Sequence, residues 1–210
     1  FIRSFASGFI FTTALPPVIC GVGDYALILA RGLRERGLSG RFVVGGLRTE
    51  GISEPVEGFP VEVLRERTAE SLLGALERGG ERTVLLQFSG YAYADRGLCF
   101  WLVEGLRRWK ARDPRRRLVT MFHELYAMGP PWRTSFWTSW PQRWIARNIA
   151  HLSHRVVCSR DEIKRRMTKW YDDSALVVQV LSNVGELENP PPLEKREKVA
   201  VIFGQYPTRQ

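Results

Sequence analysis

Apolar runs alternate with amphipathic segments along most of this chain. Short runs rich in β-branched and aromatic residues predict strands at 8–13, 41–45, 60–64, 83–88, 117–122, 155–158 and 175–181. Apolar residues at spacings of three and four predict helices over 24–36, 69–78 and 96–111. Alternating strands and helices are typical of a doubly wound, mostly parallel sheet, so the sequence predicts a Rossmann-like α/β fold.

Two more helix starts are predicted by capping-box spacing. Ser139 with Gln142, and Ser159 with Glu162, place a hydroxyl three residues before a Gln or Glu. In the first of these helices Pro141 would fall in the first turn, where a missing N–H costs little.

The character of the chain changes near its end. Residues 186–198 contain three consecutive prolines and many charges, which is typical of a linker. Residues 199–204 form a new apolar run. We therefore expect a domain over 1–185, a linker over 186–198, and over 199–210 the first strand of a truncated second domain.

Candidate chemistry gathers where predicted strands end. The loop after Thr13, the pair His123-Glu124 and Ser159 each follow a predicted strand. Ligands of parallel α/β sheets bind at the carboxyl ends of the strands, so we expect these segments to form one site.

The glycines of Gly21-Val22-Gly23 precede an amphipathic helix expected to start at Asp24. Glycines at a helix N-terminus let the backbone approach an anion, and the helix dipole favours negative charge there. The segment fits G-x-G-x-x-A, but seven residues separate it from the strand, and the second strand ends in Gly45-Gly46 without a carboxylate for a ribose. A dinucleotide site is therefore weakly indicated, and a plain loop-to-helix turn stays open as an alternative.

In their order and spacing, three segments resemble the N-terminal half of GT-B glycosyltransferases of the family 4-like group. They are residues 12–26, Met121–Leu125 and Val156–Ser159. The resemblance implies the acceptor-side domain of a two-domain enzyme whose donor is a nucleoside-diphosphate sugar, held mainly by the second domain. It also implies a retaining reaction in which the leaving phosphate acts as base, with neither metal nor cofactor, so that residues 1–210 alone would be inactive.

The resemblance also implies roles for individual residues. His123 would lie over the donor sugar, hydrogen-bond a hydroxyl and help hold charge at the reacting carbon, and Glu124 would orient His123 or contact the acceptor. Backbone N–H groups of Gly21, Val22 and Gly23 would face the donor diphosphate. The alternative for His123 is a core or capping histidine.

The acceptor is expected to be a glycan or a lipid-linked sugar, as in cell-envelope polysaccharide biosynthesis. Five residues are candidates for the acceptor side: Tyr91, Tyr93, Asp95, Trp132 and Ser159. Trp132 belongs to the segment 130–144, which interleaves tryptophans with arginines. Such a segment suits sugar stacking or an anionic membrane interface. The alternative is a long loop held in place by buried indoles.

Composition narrows the class of protein. The net charge is +9, with 26 arginines and 5 lysines, which admits phosphorylated ligands, an anionic membrane or nucleic acid. No zinc-finger spacing or RNA-binding aromatic motif accompanies the charge, so nucleic acid is not expected as a partner. The three cysteines lack paired spacing, and no apolar run is long enough to span a bilayer, which favours a cytoplasmic protein. Peripheral contact with the inner face of the membrane stays open.

Two rival functions stay open at this point. One is a binding module without catalysis that recruits anionic lipid or nucleic acid through arginines and tryptophans. The other is a nucleotide-dependent oxidoreductase or epimerase on a Rossmann sheet. A metal site is not expected, because Ala127 stands where an H-E-x-x-H motif needs its second histidine.

Overall fold

Seven parallel strands form one sheet in a computed structural model that describes residues 7–172, 174–180, 189–197 and 199. The order across the sheet is β3-β2-β1-β4-β5-β6-β7. The strands are β1 (Ser7–Thr12), β2 (Ser39–Val44), β3 (Val61–Val63), β4 (Thr83–Phe88), β5 (Arg117–Phe122), β6 (Arg155–Cys158) and β7 (Leu176–Val177). The predicted doubly wound, Rossmann-like fold is confirmed.

Six α-helices connect these strands within the described residues. They are α1 (Gly21–Glu35), α2 (Ala69–Gly79), α3 (Gly90–Tyr93), α4 (Phe100–Ala111), α5 (Thr134–Leu152) and α6 (Asp161–Met167). Helix α2 has local signals at both ends: the Thr68 side chain accepts a hydrogen bond from the Ser71 N–H at 3.1 Å, and Gly80 ends the helix at φ +70°.

The two faces of the sheet are covered differently. Phe9 and Phe11 on β1 point into the larger core, which they share with α2, α4, α5 and α6. Ile10 points to the opposite face, where α1 contributes Ala26 and Ala30 to a smaller core. Successive residues of a strand face opposite sides of a sheet, so this alternation places α1 across the sheet from the other helices.

Both predicted capping boxes are wrong. Helix α5 begins at Thr134, so Ser139 and Pro141 lie inside it, and the Ser139 hydroxyl donates to the Phe136 carbonyl oxygen at 2.7 Å. The helix continues through Pro141 because its other face is buried against the core, and packing outweighs one missing hydrogen bond. At α6 the N-cap is Arg160, while Ser159 extends β6 by a backbone hydrogen bond to Phe122.

The predicted domain boundaries fall largely outside the described residues. Over 189–197, the described part of the predicted linker, every residue is exposed and Leu193–Lys195 forms one 3₁₀ turn. Of the predicted strand after the linker, only Val199 is described. In the described part of the chain, no helix has both the length and the apolar character needed to cross a bilayer.

Candidate functional site

The carboxyl edge of the sheet brings together segments that are far apart in sequence. The His123 N–H donates to the Phe88 carbonyl oxygen at 3.0 Å, and the Ser159 N–H donates to the Phe122 carbonyl oxygen at 3.1 Å. Each bond extends the parallel pairing one residue past a strand end. The backbones of His123 and Ser159 are therefore held in place by the sheet itself.

The His123 ring has two defined neighbours. Its Nε2 lies 2.8 Å from the amide oxygen Oε1 of Gln87, and the Tyr25 ring meets it edge-on at 5.2 Å between centroids. Burial lowers the pKa of His123 from 6.5 to about 4, because the charged imidazolium loses hydration there. The ring is therefore neutral at pH 7.

Gln87 is the functional candidate that sequence reasoning missed. It is completely buried at the end of β4, and its amide nitrogen has no hydrogen-bond partner in the described part of the chain. Its amide oxygen faces the ring, so His123 must donate through Nε2–H, which leaves Nδ1 as an acceptor. The available signal was one polar residue in the otherwise apolar run Val84–Phe88.

The first turn of α1 is the second part of the site. The helix begins at Gly21 rather than at the predicted Asp24, so Gly21, Val22 and Gly23 are its first three residues. A Cβ on Gly23 would lie 2.2 Å from the Ala14 carbonyl oxygen, so packing alone demands glycine there. Tyr25, two residues further on, brings this helical turn next to His123.

Two hollows open at this edge. The larger, of about 520 Å³, is lined by His123, Ser159, Arg160, Asp161, Val177, Gln179 and Val180. The smaller, of about 230 Å³, has Glu124, Tyr91, Gln142 and Arg166 among its lining residues. Arg160 lines both. The neighbours His123 and Glu124 therefore face different hollows.

Glu124 contacts Ser89 rather than His123. Its Oε2 accepts a hydrogen bond from the Ser89 hydroxyl at 2.9 Å, while the His123 ring is bound by Gln87. The expectation that Glu124 orients His123 is therefore wrong. Contact between Glu124 and an acceptor stays a prediction.

The acceptor-side candidates separate into three groups. Tyr91 lines the smaller hollow, and its hydroxyl accepts from the Gln142 amide at 3.1 Å; Ser159 lines the larger one. Tyr93 is completely buried, donates to the Gln87 carbonyl oxygen at 2.8 Å and stacks on Phe11, so it is a core residue. Asp95 and Trp132 are exposed and line neither hollow.

The aromatic segment is not held in place by buried indoles. Trp132, Trp137, Trp140 and Trp144 are 84%, 69%, 71% and 51% exposed. The expectation of buried indoles is therefore wrong. The reason is that α5 buries its positions 138, 142, 145, 146 and 149 and directs the tryptophans outward.

No group of three or more His, Cys, Asp or Glu side chains in the described residues is arranged to hold a metal ion. A metal-free site stays an expectation.

Comparison with known proteins gives structural matches alone. No protein-family model matches the chain, and no curated protein matches it by sequence. An α-glucosyltransferase in complex with UDP and a 13-mer DNA containing a HMU base matches with TM-score 0.54 and 15% identity over 83% of this chain. An α-glucosyltransferase with UDP-glucose and DNA containing an abasic site matches with TM-score 0.54 and 14% identity over 83% of the chain. A complex with UDP matches with TM-score 0.50 and 15% identity over 89%.

The matches cover only part of those enzymes. This chain spans 42% of the length of each of these structures. Identity of this order shows the fold, and function must be argued from the site. The described residues have the Rossmann-like α/β fold of one half of a GT-B glycosyltransferase.

Proposed function

We propose that this chain is the acceptor-side domain of a retaining glycosyltransferase that moves a sugar from a nucleoside-diphosphate sugar to a glycan or lipid-linked acceptor. One observation carries the proposal: a half-buried, neutral histidine lies beside the first turn of α1 at the carboxyl edge of the sheet, in contact with Tyr25 of that helix. The fold shared with half of an α-glucosyltransferase supports the same function.

The first turn of α1 suits the donor diphosphate. The dipole of a 15-residue helix favours an anion at its N-terminal end. Sugar transfer expels a diphosphate, so a positive helix end beside that leaving group stabilises the charge that develops on it. The close packing of Gly23 on Ala14 fixes the direction of this turn.

His123 acts in this proposal as a neutral hydrogen-bonding group. With a pKa of about 4 it does not supply a positive charge at pH 7, so its contribution is a positioned hydrogen bond to a donor hydroxyl through Nδ1. Gln87 holds the opposite side of the ring. The neutral ring therefore replaces one expectation from the sequence: His123 positions a donor hydroxyl and does not help to hold charge at the reacting carbon.

The smaller hollow suits an acceptor rich in hydroxyl groups. Glu124 supplies carboxylate oxygens, Tyr91 supplies a ring and a hydroxyl, and Arg160 and Arg166 supply donors. Arg160 connects this hollow with the one lined by His123, so donor and acceptor groups would meet beside Arg160.

DNA is the second candidate acceptor. Two of the matching α-glucosyltransferase structures described above are complexes with DNA, and this chain carries a net charge of +9. The expectation that nucleic acid is not a partner therefore has no support. A DNA acceptor would make affinity fall steeply with salt, whereas a neutral glycan would not.

The test uses the whole protein with UDP-glucose and other nucleoside-diphosphate sugars as donors. Calorimetry measures donor binding, and release of the nucleoside diphosphate measures turnover with glycan, lipid-linked and DNA acceptors. We expect His123→Ala to lower turnover roughly 100-fold, the usual size for a positioned hydrogen bond at a reacting centre, with donor binding kept.

His154→Ala is the matched control, because His154 is an exposed histidine at the opposite edge of the sheet, just before β6. Turnover that is equal in both variants, or a failure of every donor to bind, would contradict the proposal.

A further inference from the structure

Helix α5 carries an aromatic surface that the proposed chemistry does not use. We define the indole surface as Trp137, Trp140 and Trp144 with Phe100. Each of these side chains is 45% exposed or more. The Phe100 and Trp144 rings lie 5.8 Å apart between centroids, so α4 and α5 both contribute to one patch.

Helical spacing brings the three indoles to one face. They follow each other at intervals of three and four residues and extend over about 10 Å of helix axis. The opposite face of α5 is the one buried in the core, including Ile145 and Ile149. Helix α5 is therefore anchored by one side and presents tryptophans on the other.

The surroundings of the indole surface are cationic. The sequence contains no Asp or Glu between Leu125 and Arg160. Arg133, Arg143 and Arg147 are exposed, and no salt bridge of the described residues involves them. By contrast, Arg107 and Arg108 on α4 both pair with Glu104. The partner of this surface is therefore anionic.

The combination of side chains favours a bilayer over nucleic acid. Indoles prefer the boundary between hydrocarbon and water, and arginines beside them reach anionic headgroups. Phe100 adds apolar area that phosphate contacts do not use. We propose that the indole surface docks this protein peripherally onto a membrane that contains anionic lipid.

Docking would place the smaller hollow beside the membrane. Gln142, on the buried side of α5, lines that hollow, and Arg143 packs over Tyr126 of the same lining at 4.9 Å. A lipid-linked acceptor could then reach Glu124 from the membrane surface. Only this last step rests on the proposed transferase function, because vesicle binding and sugar transfer are measured separately.

The experiment is sedimentation of the whole protein with vesicles of phosphatidylcholine alone or mixed equally with phosphatidylglycerol. We expect binding to the anionic vesicles and much weaker binding to the neutral ones. The double variant Trp140→Ser/Trp144→Ser should lower the partition coefficient roughly tenfold or more, because apolar area and interfacial anchors are lost.

Arg143→Gln and Arg147→Gln should each lower the partition coefficient onto anionic vesicles about fivefold, and this effect should shrink with added salt. Arg48→Gln and Arg65→Gln are matched controls that remove the same charge from exposed positions elsewhere, and Leu193→Ala removes an exposed apolar side chain off the patch. All three should bind vesicles like the unaltered protein, and circular dichroism verifies folding of every variant.

Three results would overturn the proposal. One is the absence of vesicle binding. Another is binding that the tryptophan variant leaves unchanged. The third is binding to single-stranded or duplex DNA that requires the same indoles while vesicles are ignored, which would assign the surface to nucleic acid instead.

Discussion

The two edges of the sheet use their polar side chains in different ways. Near the amino edge, several charges are paired with each other, although Lys110, Arg117 and Arg155 form a cluster of like charge around His154 there. The pairs are Arg41 with Glu62 and Glu81, Arg82 with Asp113, and Arg116 with Glu77. At the carboxyl edge, His123 and Glu124 are held by the neutral groups of Gln87 and Ser89, and Arg160 has no carboxylate at ion-pair distance among the described residues.

This difference separates stability from binding. A charge that already has an opposite charge beside it gains little from binding a ligand. A charge or lone pair whose neighbour is neutral can still bind a charged or polar ligand. Ligands of a parallel α/β sheet are expected to bind at the carboxyl edge. The charged groups that have no opposite charge beside them there among the described residues, Glu124 and Arg160, agree with this expectation. Four experiments test the contrast.

The largest effect is expected where the first turn of α1 packs closely on the loop after β1. In Gly23→Ala the added methyl would meet backbone atoms of Ala14 at 2.2 and 2.9 Å, which move only at the expense of the helix–loop contact. We expect a loss of about 3 kcal/mol or more in the free energy of unfolding, measured by urea denaturation.

Gly74→Ala on α2 is the matched control for that change. Its nearest non-neighbouring atom, at 3.1 Å, is the end of the flexible Arg78 side chain. Alanine is a better helix former than glycine, so this variant should be as stable as the unaltered protein or up to about 1 kcal/mol more stable. Equal stability of the two variants would show that the Gly23 contact is unimportant.

The half-buried His123 should make stability depend on pH. The unfolded chain binds this proton below its ordinary pKa of 6.5, whereas the folded chain binds it only near 4. The unfolded state therefore holds more protons between these values, and stability is lost as the pH falls from 6.5 to 4. The full contribution is about 3 kcal/mol.

Urea denaturation at pH 7 and pH 4 measures this contribution. His123→Gln should lose correspondingly less stability on acidification than the unaltered protein. His154→Gln should behave almost like the unaltered protein, because the His154 side chain is exposed. An identical pH dependence with and without His123 would mean that the ring is not held neutral by burial.

Substitution of one arginine at each edge compares the edges directly. Arg41→Ala removes a guanidinium that is 16% exposed, pairs with Glu62 and Glu81 and lies 4.3 Å over the Phe9 ring. We expect a loss of about 2 kcal/mol, because Glu81 loses its ion pair with Arg41 and Glu62 keeps only its pair with Arg78.

Arg160→Ala should change the unfolding free energy by less than about 0.5 kcal/mol, since its side chain is exposed. The same variant should weaken donor or acceptor binding, measured by calorimetry. The contrast between the edges would be broken if Arg160 proved the more important of the two for stability.

A small effect on stability is also expected for Gln87→Leu. The variant loses the hydrogen bond to His123 but also removes a buried amide nitrogen without a described partner, so the net change should stay within about 1 kcal/mol. The measurement is nitrogen NMR of the His123 ring. The population with the proton on Nε2 should fall, together with turnover, and an unchanged tautomer would show that Gln87 does not position the ring.

Local pattern was sufficient for the centre of the sheet. The predicted ranges 83–88, 117–122 and 155–158 are the observed bounds of β4, β5 and β6. Continuous apolar runs bounded by polar residues define buried parallel strands with little help from distant contacts. The start of α5 at Thr134 was missed because the spacing of Ser139 and Gln142 imitates a cap, while packing of the preceding turn decided the true start.

The sequence by itself determined the strands, most of the helices and the residue types gathered at the carboxyl edge, because these follow from neighbours a few positions away. Tertiary structure alone decided that Tyr91 is exposed while Tyr93 is buried, and that Gln87 rather than Glu124 holds His123. Gln87 and His123 are 36 residues apart and meet only because β4 pairs with β5. Strand pairing and helix packing set such contacts, and no local pattern encodes them.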